Sequence, residues 1–211
     1  MSTSSRGCRL AHKKPVSKRS SRQAPRLDPR GPVEEFGDVA YSDHSCGFPK
    51  SRPHGFNSWV NFCDKHTKQR AFYFTVTRSS AEVASALRSY VKDNQHRLCN
   101  DRVKVWVCDG AKELAGDLID GDDGAASHLV VQREFLVPYI SNTNPVAERA
   151  HGVLLHSMRA SIAHAGAPVC VWPFAGAQAS RIFEQLATTL HDPPMSPRDF
   201  ADPGAGVAEL G

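Results

Sequence analysis

The chain has 211 residues, 40% of them hydrophobic, enough for one packed domain of ordinary size plus tails rather than wholesale disorder. No apolar run approaches the roughly 18 residues of a bilayer span, and the N-terminus MSTSSRGCRLAHKK lacks the apolar core of a secretory signal. The formal charge of +4 is modest but uneven, since residues 6 to 30 hold nine Lys or Arg against the single acid Asp28.

Residues 1–32 are rich in Ser, Arg, Lys and Pro without periodicity, and read as a basic disordered arm. Such an arm is either a solvated tail or an electrostatic grip on a polyanion, and the two are compatible. After Gly31-Pro32 the character changes. GDVAYSDHSCG (37–47), NSWVNFCD (57–64) and RAFYFTVT (70–77) read as three consecutive strands, the last two joined by a polar hairpin connection. AEVASALRSYV then has helical apolar spacing, with Ser80 as the expected N-cap. VKVWVCDG (103–110) is a buried-type strand. AKELAGDLI reads as a short helix, an acidic Gly-rich loop follows, and HLVVQREFLV reads as a strand.

From Pro145 an apolar stripe runs through Val146, Ala150, Leu154, Met158 and Ile162, a long helix stopped by Gly166 and Pro168. A last helix is expected over 172–187, and the Pro-rich stretch from 191 reads as a linker. The domain boundaries expected are therefore an arm at 1–32, a core at 33–190 and a linker at 191–211. An antiparallel meander feeding a parallel βα section predicts a three-layer α/β domain with a mixed sheet flanked by helices.

The six cysteines are scattered without a C-x-x-C pair, so free thiols are expected and a closed zinc site is not supported. Phosphate-loop, serine-hydrolase and zincin motifs are absent. DGDDG (120–124) fails as a calcium loop, because Ala125 and Val131 fall where Gly and Glu are needed. His151, His156 and His164 share one helix but different faces, and read as solvated or packing residues.

Three carboxylates stand out by position. Asp43 lies late in the first strand, within a buried stretch. Asp109 ends the VWVC strand, where the carboxyl ends of parallel strands line a crevice. Glu148 follows Asn144-Pro145 in the first helical turn. At about 100° per residue it falls roughly 150° from the centre of the apolar stripe, off the core face. Each also has a bland explanation: an Asp at a strand end forms turns, and a Glu in a first turn suits the helix dipole. If the three converge, their repulsion demands a cation, and two Mg²⁺-type ions about 4 Å apart can activate both oxygens of a phosphoryl transfer. Asp64 and Glu113 read as structural.

The segments YSDHSCGFPKS, VWVCDGAKEL and PYISNTNPVAERAHGVLLHSMRASIAHAGAPVCVWPFA together resemble the integrase catalytic core of Copia-type LTR retrotransposons. Asp43, Asp109 and Glu148 match its D…D…E triad, with 65 and 38 residues between them. Ser42 and Gly47 match around the first Asp, with Phe48 in place of Pro. Gly110 and Ala111 depart from the motif around the second. Pro138, Tyr139, Asn144, Val146, Ala147 and Arg149 match around the Glu, with Pro145 where the family usually has Gly. Cys8 resembles the last cysteine of the zinc module that precedes such cores, and MSPRDF resembles the start of the segment that follows.

The resemblance implies a ribonuclease H-like fold and a fragment of a Pol polyprotein. It implies a polynucleotidyl transferase performing 3′-end processing and strand transfer of element DNA. Asp43, Asp109 and Glu148 would be both catalytic residues and ligands of Mg²⁺ or Mn²⁺, two ions in all. Asn142, Asn144, Arg149, Arg159, Lys13 and Lys14 would contact DNA. The implied partners are element ends and target DNA, with a homo-oligomer as the active form, no membrane, and a nuclear location reached through a cytoplasmic virus-like particle. A decayed or domesticated fragment that binds nucleic acid without catalysis is the alternative. A ribonuclease H using Glu82, and an interaction module with a basic arm, are the remaining ones.

Overall fold

A computed structural model of the protein describes residues 33–109, 111, 114, 116–135, 145–187 and 194–201. Among them, five strands form one sheet: β1 (Val39–Ser45), β2 (Ser58–Asp64), β3 (Arg70–Thr75), β4 (Val103–Cys108) and β5 (Val130–Phe135). Their spatial order is β3-β2-β1-β4-β5. β1 pairs antiparallel with β2, β2 antiparallel with β3, and both β1–β4 and β4–β5 are parallel. The expected meander and parallel section are thus both present, meeting at β1 in the centre of the sheet.

Helices cover both faces because each strand alternates two apolar sets. Ala40, Val60, Phe62, Trp106 and Cys108 face helix α1 (Ser80–Asp93), through Val83, Leu87 and Tyr90, and the short α2 (Asp117–Asp120) and α3 (Ala125–Leu129). On the other face Trp59 packs with Leu154 and Met158 of α4 (Pro145–Ala165) and Trp172 and Ala179 of α5 (Trp172–Gln185). Val39, Tyr41 and Val107 pack on that same side with Ala147. The result is a helix–sheet–helix sandwich. Gly176 lets α5 come close: a Cβ there would lie 3.0 Å from the Phe74 ring and 3.2 Å from the Met158 sulfur.

The local expectations needed four adjustments. The α1 cap is Ser79, not Ser80: Ser79 is extended and its Oγ accepts from the Glu82 N–H. Glu82 in turn accepts from the N–H groups of Val76 and Thr77, tying the helix start to the exit of β3. Of the helix expected over AKELAGDLI, the described residues Asp117, Leu118 and Ile119 fall in α2. Gly116, at φ +110, has a backbone conformation that no right-handed helix can pass through. β5 begins only at Val130, since Ala125–Leu129 is helical. Within the expected linker, α6 (Pro197–Ala201) folds back and sets the Phe200 ring 4.9 Å from that of His66.

Asp64, read as structural, is wholly buried and accepts hydrogen bonds from Gly37 N–H (2.9 Å), Thr67 N–H (2.7 Å) and Thr67 Oγ (2.9 Å). Asp120, from the failed calcium loop, pairs instead with Arg133, whose guanidinium stacks between Trp106 and Phe135. No described helix is long and apolar enough to cross a membrane.

Candidate active site

Strand phase decides where the carboxylates point. Val39, Tyr41 and Asp43 alternate onto one face of β1, and Val105, Val107 and Asp109 onto the same face of β4 and its exit. The parallel register pairs Val39 with Val105 and Tyr41 with Val107. Continued by one more step on that face, it sets Asp43 beside Asp109. The apolar members of this series pack against Val146 and Ala147 in the first turn of α4. Glu148 is the next residue, exposed, as its helical phase requires. Three elements therefore deliver three acids to one edge of the sheet.

Electrostatics carries the signature of that meeting. Burial pushes the Asp43 carboxyl above the ordinary carboxylate range. The charges of Asp109 and Glu148 push it further, while the His44 backbone N–H and nearby His151 pull it back. Asp43 is thus a half-buried acid that has both other acids as charged neighbours. Asp109 also serves its turn, accepting from the Ala111 N–H at 3.2 Å. Among the described residues, no three His, Cys, Asp or Glu side chains are gathered closely enough to share one metal ion. The three acids are neighbours rather than a closed ligand cage.

Sequence reasoning missed the residues that surround them. Asn61 stands directly across from Asp43 in the β1–β2 ladder, wholly buried, and its Nδ2 donates to the Ala147 carbonyl at 3.3 Å. Among the described residues the Asn61 Oδ1 has no partner. Ser45, two residues beyond Asp43, shares a 2.8 Å hydrogen bond with His151 Nδ1, and the His151 ring lies 5.1 Å from that of Trp59. His151 is therefore held on the sheet side of α4; burial lowers its pKa, while the Asp43 charge raises it and Arg159 lowers it. The signal that could have found Asn61 is its place opposite Asp43. It was hidden because the β1–β2 connection of 12 residues, 46–57, fixes no register by itself.

Of the residues expected to touch DNA, Arg149 and Arg159 are exposed on α4. Lys13, Lys14, Asn142 and Asn144 lie outside the described residues, as does Glu113. Glu82, the acid a ribonuclease H reading would use, accepts from the Val76 and Thr77 N–H groups and the Thr77 hydroxyl. Those bonds, and more weakly the charge of His44, lower its pKa against the effect of burial, and His44 alternates onto the opposite face of β1 from Asp43.

A five-stranded mixed sheet in this order, with helices on both faces and acids at the ends of the central strands, is a ribonuclease H-like fold of the integrase-core kind. Solved structures with this architecture include an intasome of simian T-cell lymphotropic virus in complex with the PP2A regulatory subunit B56 gamma. There the TM-score is 0.63 at 14% identity, over 85% of this chain and 60% of that one. The HTLV-2 integrase catalytic core domain, solved in complex with magnesium, gives 0.56 at 10% identity over 77% and 95% of the two chains. The BIV integrase catalytic core gives 0.53 at 14% identity over 78% and 93%. At these identities the likeness is one of fold. The chain spans 60% of the chain it matches in the viral intasome, and nearly all of each isolated core. No protein-family model matches the sequence, and no curated protein is similar to it in sequence.

Proposed function

We propose that this chain is the catalytic core of a Copia-type retrotransposon integrase, a D,D,E polynucleotidyl transferase acting on DNA ends. One observation carries the reading: the parallel register of β1 and β4, continued by one step, sets Asp43 beside Asp109 on the face where the first turn of α4, ahead of Glu148, packs; burial first, and then the charges of Asp109 and Glu148, raise the Asp43 carboxyl there. Like charges brought together around a buried acid are tolerated best where a cation neutralises them. The donor set is all carboxylate oxygen, which suits Mg²⁺ or Mn²⁺ rather than a softer metal. Glu148, exposed at the start of its helix, has the side-chain freedom to move onto an ion held by Asp43 and Asp109.

Bound divalent ions would supply Lewis-acid stabilisation of the phosphoryl oxygens and a lowered pKa for the attacking hydroxyl. The chain's own part is placement. β1 and β4 fix two carboxylates at neighbouring positions of a rigid sheet, and α4 brings the third. Arg149 and Arg159 stand exposed on α4, available to DNA phosphates, and the basic arm with Lys13 and Lys14 would add sequence-tolerant, salt-dependent attraction. Asn142 and Asn144 would lie beside the DNA end. The reaction proposed is 3′-end processing followed by strand transfer into target DNA, by a homo-oligomer working in the nucleus after assembly in a cytoplasmic particle.

The test is joining of a labelled element-end duplex to target DNA in Mn²⁺ by the full chain, beside Asp109→Asn and Glu148→Gln. Products from the parent and none from either variant are expected. Equal yields from all three would overturn the assignment. DNA binding by the parent with no joining would select the decayed, binding-only alternative.

A further inference from the structure

We propose that Ser45, His151 and Asn61 are positioning residues, a clamp between sheet and helix that sets Glu148 opposite Asp43. The inference deepens the integrase reading and rests on it. A carboxylate on a helix can work with two on a sheet only if the helix is fixed in both rotation and axial position. The apolar contacts of Val146 and Ala147 with Val39, Tyr41 and Val107 hold α4 down, but apolar contact is non-directional and does not set register.

Directional contacts supply what is missing, and they bracket the acids on both elements. The Ala147 carbonyl, one residue before Glu148, accepts from Asn61, the residue across the ladder from Asp43. His151, nearly one helical turn after Glu148, is tied to Ser45, two residues beyond Asp43 and on the same face of β1. The Trp59 ring, two positions along β2 from Asn61, backs the imidazole. The helix is thus pinned on either side of Glu148, to one strand position beyond Asp43 and one opposite it.

The chemistry of Asn61 argues that the arrangement is not incidental packing. The residue is fully buried, one of its two polar atoms makes a bond of 3.3 Å, and the other makes none among the described residues. An apolar residue would avoid that desolvation cost and suit its neighbour Trp59 equally well. An amide at this position is explained by the carbonyl it holds.

The experiment uses Mn²⁺ itself as the probe on the full chain. Thermal unfolding midpoints are measured in EDTA and across a Mn²⁺ series, giving an apparent affinity without any reliance on activity. Ser45→Ala and His151→Phe, the latter keeping an aromatic ring against Trp59, should each weaken that affinity about 10-fold, as loss of outer-shell support does in metal sites. Ser45→Thr, which keeps the hydroxyl, should restore it. The double variant should be no worse than either single one. A lower midpoint in EDTA with unchanged Mn²⁺ affinity would mean plain packing and would overturn the clamp.

Asp43→Asn separates the two levels of the argument. If it abolishes the Mn²⁺ response while Ser45→Ala does not weaken it, the clamp alone fails. If Asp43→Asn binds Mn²⁺ as the parent does, the metal-site reading fails and takes the clamp with it.

Discussion

Replacing Asp43 by Asn should make the metal-free protein more stable, although the same change removes a proposed metal ligand. Adjacent strands lie about 5 Å apart, and two unit charges about 6 Å apart at an effective permittivity near 20 repel by about 3 kcal/mol. Asp109 is only half-buried and Glu148 is exposed, so solvent screening reduces the sum to about 1–2 kcal/mol. For a domain of this size that corresponds to a rise of about 2–8 °C in the unfolding midpoint. The pH dependence follows from the raised carboxyl of Asp43. Well below the ordinary carboxylate range, Asp43 is protonated in folded and unfolded chains alike, and the two proteins should be equally stable. As pH rises through the raised folded-state value, the unfolded chain releases its proton more readily, and the parent loses stability that the variant keeps. The gap should widen from about pH 4 and level off once the pH passes the raised folded-state value. Differential scanning fluorimetry in EDTA from pH 4 to pH 8 measures it. A variant less stable than the parent at pH 7, or a gap that does not widen with pH, would refute the idea that Asp43 sits in a field of like charge.

Other substitutions probe the frame around the site. Asp64→Ala should cost about 3 kcal/mol or more in urea unfolding, because it strands three donors converging on a buried carboxylate; a loss below 1 kcal/mol would deny those bonds their weight. Ser42→Ala leaves the buried Trp106 Nε1–H without its 2.7 Å acceptor and should cost about 1–3 kcal/mol, read in the same way. Gly176→Leu should lower stability by about 1–3 kcal/mol through overpacking against Phe74 and Met158, and an unchanged midpoint would mean that α5 can retreat freely. With a thiol-alkylating reagent at pH 8, exposed Cys46 and Cys99 should react in the native protein. Cys63, buried and with its thiol pushed up to about 11, should label only on unfolding, as mass spectrometry of the digested protein would report.

Much of the fold was legible because strands and helices here carry clean periods. The alternation through Val39, Tyr41 and Asp43, and the stripe from Val146 to Ile162, each say which side faces the core. The placement of Glu148 off that stripe followed from the same arithmetic. What could not be read were features fixed by pairing between distant segments. Asn61 gains its meaning from the residue across the ladder, and His151 from a serine 106 positions away. Neither relation leaves a local pattern. The break ahead of α2 was hidden for another reason: Ala, Lys, Glu and Leu favour a helix on propensity, and nothing local announces the positive φ of Gly116. Glu82 is the converse case, since a glutamate near the start of α1 suits both a cap and a catalytic role, and only its hydrogen bonds decide.

The central place of β1 also governs how the protein comes together. Its antiparallel neighbour β2 follows closely in the chain, whereas its parallel neighbour β4 begins 58 residues after β1 ends. During synthesis the β1–β2–β3 meander can form while β4 is still unmade, leaving one edge of β1 open. Closing that edge requires a longer loop to be gathered than the β1–β2 connection does, so this pairing is expected to form after the meander. The acids therefore meet in the order of that assembly: Asp43 stands alone on the early meander, Asp109 joins it when β4 docks, and Glu148 arrives last with α4. On that order, mutual repulsion is met only when most of the sheet is in place to resist it.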